Sequence, residues 1–183
     1  MRAPKHDPLA VGRYLPAVTT DDMDAEIRKA QASDVDAIAA FGSAVVPAHY
    51  TPILGADGAQ GQLAWWTPQR IGSAVERGRV HVALVDDTIV GVSETGEMGN
   101  EQVIWKLYLA PDFRGRSLGV KLLRQAIAAL PTGAKSVLVE HFAGNTRAGS
   151  FYEREGFAVV NTEPSSSGDP NAAIIWRRLE LRE

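Results

Sequence analysis

Apolar positions along this chain recur with two periods, and the changes between them mark the elements. Glu26-Ile27-Arg28-Lys29-Ala30 reads as a short strand. From Val35 to about Val46 apolar residues fall at helical spacing, with Ser33 as the expected N-cap and Asp34 and Asp36 in the first turn. Pro47 is expected to end that helix. Residues 49–60 read as loop, with Pro52, Gly55 and Gly58 as breakers. A second helix is expected over Leu63–Glu76, broken or restarted at Pro68. Val80–Val85 and Ile89–Ser93 flank Asp86-Asp87-Thr88 in a hairpin pattern. Val103–Leu109 reads as a strand with Val103, Trp105, Leu107 and Leu109 on one face and Ile104 and Tyr108 on the other. Apolar side chains on both faces predict a buried central strand.

The clearest helical pattern runs from Ser117 to Leu130, where Leu118, Leu122, Leu123, Ala126, Ile127 and Leu130 share a face. Pro131 and Gly133 close it. Val137–Phe142 is a further strand, and Asn145–Glu155 a helix stopped by Gly156. Phe157–Val160 and Ala173–Leu181 are the last strands, joined by a Ser/Gly/Pro loop at 164–171. Residues 1–24 show no sustained period and read as an N-terminal extension, which leaves one domain at 25–183. The order of elements predicts an α/β (α+β) fold, a mixed sheet with helices on its faces.

The length of 183 residues suits one domain with a core of its own. A formal charge of −3, with no dense Lys/Arg block, argues against nucleic acid and membrane surfaces as partners. Cysteine is absent, which excludes disulfides, thiolate metal sites and a cysteine acyl-enzyme. The histidines at 6, 49, 81 and 141 lack metal-ligand spacing, so no metal is expected. The N-terminus lacks the apolar core of a signal peptide. No apolar run approaches the roughly 18 residues of a membrane span. These features predict a soluble, cytoplasmic protein.

Chemistry concentrates in two motifs. The first is Leu107-Tyr-Leu-Ala-Pro-Asp-Phe-Arg-Gly-Arg-Ser-Leu-Gly119, a strand stopped by proline, a loop with Arg and Gly, and the start of a helix. This order sets free backbone N–H groups at a helix N-terminus, an anion site. It lacks the Gly-Lys-Ser/Thr ending of a nucleotide-binding loop, which disfavours ATP. The second is Asn145-Thr-Arg-Ala148-Gly-Ser-Phe151-Tyr152-Glu-Arg-Glu-Gly156-Phe157. Asn145 stands where an N-cap belongs, and Ala148, Phe151 and Tyr152 share a helix face.

Together the two motifs resemble the GNAT family of N-acetyltransferases. Its loop follows Gln/Arg-x-x-Gly-x-Gly/Ala, and its later helix often reads Asn-x-x-Ala-x-x-Phe-Tyr-x-x-x-Gly-Phe. Ser117 departs from the pattern, standing where the family usually has a glycine. The resemblance covers roughly residues 25–183. It implies a mostly antiparallel twisted sheet with a splayed central strand pair, and acetyl-CoA as cosubstrate. By the same resemblance, Arg114, Gly115, Arg116, Ser117, Leu118 and Gly119 would hold the pyrophosphate, the backbone of Leu107, Tyr108 and Leu109 would pair with the pantetheine arm, and Asn145 would contact it. Tyr152 would protonate the departing thiolate.

The expected activity is direct transfer of an acetyl group to an amine in a ternary complex. No base is singled out among Glu94, Glu97, Glu101, Glu140 and His141. The acceptor site is expected around the first two helices, near His49, Tyr50, Trp65 and Trp66, and a small-molecule amine is favoured over a protein. Homodimers are common among chains resembling this one. Three alternatives stay open: a non-catalytic acyl-CoA-binding or sensory domain marked by Ser117, a structural module that lost its cofactor, and an enzyme for a longer acyl group.

Overall fold

In a computed structural model of the protein, which describes residues 25–115 and 117–181, the strands form one sheet. They are β1 (Glu26–Lys29), β2 (Val80–Val85), β3 (Thr88–Met98), β4 (Glu101–Leu109), β5 (Ser136–Phe142), β6 (Ala158–Glu163) and β7 (Ile174–Glu180). Their order across the sheet is β1-β2-β3-β4-β5-β7-β6. Every pairing is antiparallel except that of β4 with β5. The mixed, mostly antiparallel sheet expected from the sequence is therefore present. The expectation for residues 1–24 lies outside the described residues.

Helices α1 (Val35–Leu63), α2 (Pro68–Glu76), α3 (Leu118–Ala128) and α4 (Thr146–Arg154) cover the sheet. Alternation along β2 assigns the two faces. Val82 packs with Ile38, Val46 and Ile71 under α1 and α2, whereas its neighbour Ala83 packs with Val90 and Leu118 of α3. Leu123, Ala126 and Tyr152 extend the second core over Ile104, Val137, Val139 and Phe157. Val46, Val82, Leu122, Val137 and Val139 are fully buried, each burial being worth about 1.5–3 kcal/mol.

Three local expectations are corrected. Ser33 is not an N-cap but lies in a 3-10 turn at Ala32–Asp34. There the Asp34 carboxylate accepts the Gln31 N–H at 2.7 Å and two Arg28 N–H bonds at 2.7 and 3.0 Å. The first helix does not end at Pro47. It runs through Pro47 and Pro52 to Leu63, and the backbone leaves helical geometry only at Gly55, with φ 73°. An interior proline costs about 3 kcal/mol. Burial of Val45, Val46 and Tyr50 against the sheet offsets that cost, so residues 49–60 are helix rather than loop. The segment Ala32–Leu63 is long and apolar enough to cross a membrane, but its stripe of Ile38, Phe41, Val45 and Val46 packs into the core.

The second helix starts afresh at Pro68, with the Thr67 hydroxyl accepting the Arg70 N–H at 3.4 Å. Trp65 and Trp66 therefore sit in the turn before it. Trp66 is buried and Trp65 exposed.

The third correction concerns β4. Glu94 of β3 pairs with Lys106, but Thr95 pairs with Ile104, so Trp105 is an extra residue in the ladder. A bulge of this kind shifts the alternation of side chains. Ile104 and Leu107, an odd number of residues apart, both pack on the core that contains Leu123. Tyr108 packs under α1, and Val103 joins Leu138 and Trp176. The single face expected for Val103, Trp105, Leu107 and Leu109 is split.

Trp66 fills a notch at Gly42, where an added Cβ would lie 2.3 Å from indole Cε3 and 2.5 Å from Cδ2. Gly42→Ala gains up to about 1 kcal/mol of helix propensity and incurs about 1–3 kcal/mol of overpacking. Its urea midpoint should fall with an unchanged m-value. A midpoint at or above the parent's would mean that Trp66 moves out of the notch freely.

Candidate active site

The bulge at Trp105 opens the sheet. β4 and β5 pair only at Gln102–Val137, Val103–Leu138 and Ile104–Val139, and beyond Ile104 the strands part. β4 still pairs with β3 as far as Leu109. The Ala110 N–H donates to the Val90 carbonyl at 2.8 Å. Counting back by twos, Tyr108 and Lys106 face β3, and the backbone groups of Leu107 and Leu109 turn towards the gap.

The gap continues into a cavity of about 610 Å³ between the splayed strands, α3 and α4. Leu107, Tyr108, Leu109, Arg114, Gly115, Ser117, Gly119, Asn145 and Tyr152 all line it, as does Trp105. Leu118 does not: its side chain is in the core beside Ala83 and Val90, which leaves only its backbone at the first turn of α3. Arg116 lies outside the described residues.

The loop before α3 shapes the anion end. The Val120 and Lys121 N–H groups both donate to the Ser117 carbonyl at 3.0 Å, while the amides of Leu118 and Gly119 lie too early in the helix to find an acceptor within it. Ser117 has φ 58° and ψ −9°, a left-handed conformation that favours glycine. Gly119 has a different reason to be small: a Cβ there would lie 3.3 Å from Leu109 Cδ1. Arg114 donates from Nε to the Leu109 carbonyl at 3.2 Å. Burial, then the nearby Arg147, pulls its pKa below the ordinary value. Arg147 and Arg154 line the same cavity, so its mouth is electropositive.

Asn145 caps α4, its Oδ1 accepting the Ala148 N–H at 3.2 Å. That bond fixes the amide orientation, so Nδ2 is the donor to His49 Nε2, 3.0 Å away on α1. Nε2 must then be unprotonated and the ring neutral. Burial first, then Arg114 and Arg147, lowers the His49 pKa accordingly. With Nε2 engaged and Nδ1 carrying the proton, His49 is a poor proton acceptor. Tyr152, two helical turns further along α4, is buried, and its hydroxyl makes no hydrogen bond among the described residues. Burial is the main cause that pushes its pKa up, so the phenol keeps its proton at neutral pH.

Two further tyrosines were legible only in part. Tyr50 was expected near an acceptor and Tyr108 as a backbone contact, but their hydroxyls meet at 2.8 Å across the splay. Burial holds both pKa values above ordinary, that of Tyr108 far above.

Among the five base candidates the structure discriminates. Glu94 is paired with Lys106, Glu97 with Arg79 at 3.5 Å, and Glu101 with Arg178 at 2.8 Å. His141 is buried, accepts the Arg177 Nε–H at 3.1 Å and contacts the Phe142 carbonyl at 3.0 Å. Glu140 has no cationic partner among the described residues. It lines the 610 Å³ cavity and also a neighbouring one of about 490 Å³. Loss of solvent along the wall, then the Glu163 carboxylate, raises its pKa above the ordinary 4.5.

The family model described as an acetyltransferase (GNAT) domain matches residues 76–159, a stretch holding both sequence motifs. No curated protein matches the chain. Solved structures share its fold. PaiA N-acetyltransferase from Thermoplasma acidophilum, in complex with coenzyme A, superposes with a TM-score of 0.72 at 21% identity, over 86% of this chain and 100% of that one. Ard1 from Thermoplasma volcanium gives 0.66 at 18% identity, over 87% and 99% of the two chains. The ribosomal-protein-S18-alanine N-acetyltransferase from Escherichia coli gives 0.65 at 19% identity, over 87% and 95%.

The neutral His49 makes a pH prediction. Its folded pKa lies below the ordinary 6.5, so the unfolded chain takes up the proton first and stability is lost as pH falls through 6.5. Asn145→Asp replaces the donor by a carboxylate, which favours imidazolium. The His49 pKa read by NMR titration should rise above 6.5. A value unchanged from the parent would mean that the Asn145 amide does not donate to His49.

Proposed function

We propose that this chain, which has the GNAT fold and its acetyltransferase domain, is an N-acetyltransferase using acetyl-CoA as cosubstrate. One observation carries the reading. Outward-turned strand amides, a helix N-terminus and arginines converge on one cavity whose wall holds a free tyrosine hydroxyl.

The amides of the α3 first turn and Arg114 would hold the pyrophosphate, where a helix dipole and a guanidinium both favour negative charge. Ser117 keeps its backbone conformation there and can add a hydroxyl to the phosphate oxygens. The pantetheine arm would lie along the open edge of β4, taking the role that β5 abandons beyond Ile104. An outward-turned amide between Trp105 and Leu109 would polarise the thioester carbonyl and stabilise the oxyanion. Asn145 caps α4 and donates to His49, which positions the cleft wall, and its second N–H remains for the pantetheine arm.

Glu140 is proposed as the base. It takes a proton from the ammonium acceptor, and the neutral nitrogen lone pair then attacks the thioester carbon. The tetrahedral intermediate gives up the second nitrogen proton as it collapses, the C–S bond breaks, and the sulfur takes the Tyr152 proton to leave as CoA thiol; the nitrogen's proton restores the Tyr152 phenol, and Glu140 releases its own to water. Desolvation raises the Tyr152 pKa, and the same buried setting raises that of a thiol, so the thiolate's affinity for the proton rises along with the phenol's. Acetyl amide and free CoA are the products. A cytoplasmic site of action fits this chemistry.

Calorimetric titration with acetyl-CoA tests the cofactor half. Micromolar binding is expected, lost in Gly119→Val while circular dichroism is retained. No binding by the parent at millimolar ligand would overturn the reading and favour a fold that has lost its cofactor. The chemical half rests on two substitutions. Tyr152→Phe should lower kcat by about 100-fold with acetyl-CoA affinity kept. Glu140→Gln should remove the acid limb of the kcat/KM profile, which in the parent lies above the pH range of an ordinary carboxylate. Unchanged turnover in either variant removes that residue from the mechanism.

A further inference from the structure

The 490 Å³ cavity adjoins the cofactor cleft at Trp105, Tyr108 and Glu140, which line both spaces. It is large enough for a small molecule and lies where an amine would have to approach. Its charges show which amine it fits. Two lining carboxylates are already neutralised, Glu94 by Lys106 and Glu97 by Arg79. The charges left over are separated. Glu140 remains at the junction. On the α2 wall, Arg70 and Arg77 lie two helical turns apart on one face. The Arg70 guanidinium lies over the Trp65 ring at 4.4 Å, and Arg77 forms no ion pair among the described residues. Trp65, Trp66 and Trp105 also line the cavity.

From this separation we infer that the acceptor is a small zwitterionic amine: its ammonium sits at Glu140 and an anionic carboxylate or phosphate group sits at Arg70 and Arg77. The inference rests on the transferase reading above. It excludes diamines, because a second ammonium would meet two uncancelled guanidiniums at short range. A planar guanidinium suits carboxylate and phosphate alike by forked hydrogen bonds, so the two anionic groups have to be separated by experiment.

The test is thiol release from acetyl-CoA with matched acceptors on one carbon skeleton: the amino acid, its carboxamide, the decarboxylated amine, the diamine and the aminoalkyl phosphate. The amino acid or the aminoalkyl phosphate should exceed the carboxamide at least tenfold in kcat/KM, and whichever leads identifies the anion. Arg70→Gln/Arg77→Gln should raise the KM for the anionic acceptor at least tenfold while the calorimetric affinity for acetyl-CoA stays unchanged. Arg77→Lys, made alone, should retain most of the parent's preference. Equal or faster turnover of the carboxamide or diamine overturns the inference and leaves the transferase reading intact. So does a panel without turnover in a protein that binds acetyl-CoA. A protein that does not bind acetyl-CoA overturns both.

Discussion

One extra residue in one ladder governs this fold. β4 and β5 are the only parallel neighbours in the described sheet, and a parallel pair has no hairpin to hold it together. Their ladder ends where Trp105 bulges against β3. Past that point β4 keeps its antiparallel partner but loses its parallel one, so the edge it exposes is rigid on one side and vacant on the other. Unpaired strand amides normally invite aggregation or demand cover. Here α3, α4 and the His49–Tyr50 stretch of α1 wall the gap, turning an exposed strand edge into one side of a cavity.

Keeping the wedge open requires packing on both sides, and aromatic rings supply much of it. Trp66 meets Tyr108 edge-on with centroids 5.1 Å apart, and Tyr50 meets Phe142 at 5.6 Å. The Tyr50–Tyr108 hydroxyl contact closes the chain from β4 through α1 to β5. Each such ring contact is worth about 0.5–1.5 kcal/mol beyond its burial, comparable with the few ladder bonds the splay gives up. This explains why α1 continues through two prolines. Stopping at Pro47 would remove Tyr50 from the wedge and His49 from Asn145, leaving the cleft without its third wall.

Most of the fold was legible because its signals were local. The α3 stripe, the β2–β3 hairpin, the strand stopped by Pro111 and the Asn145 cap each occupy a short window, and the order of two motifs supplied the cleft between them. The helix through Pro47 was not legible, because proline is read by its local cost and the burial that offsets it comes from strands β2 to β5, far away in sequence. The bulge at Trp105 was hidden for the same reason, since nothing in Val103–Leu109 distinguishes a continuous strand from one with an extra residue. Glu140 stood among five candidates with only its place before the Asn145 motif in its favour, and the ion pairs of Glu94, Glu97 and Glu101 are formed by cations distant in sequence. Ser117 looked like a defect by residue type. The requirement at that position is a left-handed backbone, which serine meets at a cost of about 1–2 kcal/mol and glycine meets without strain.

The electrostatics then follow a gradient rather than a single charge. Arg114, Arg147 and Arg154 line the 610 Å³ cavity, and Glu140 sits where the two cavities meet. Between them the titratable groups are held uncharged. His49 is held neutral by burial first, then by Arg114 and Arg147, His141 because burial outweighs the pull of the Phe142 carbonyl, and the tyrosines because burial raises their pKa values. A neutral wall matters for acyl transfer. A fixed positive charge beside the thioester would hold the thiolate but oppose entry of the ammonium, and a fixed negative charge would do the reverse. By confining charge to the two ends, the fold would let the polyanionic cosubstrate and cationic nucleophile of the proposed reaction approach one carbonyl from opposite sides.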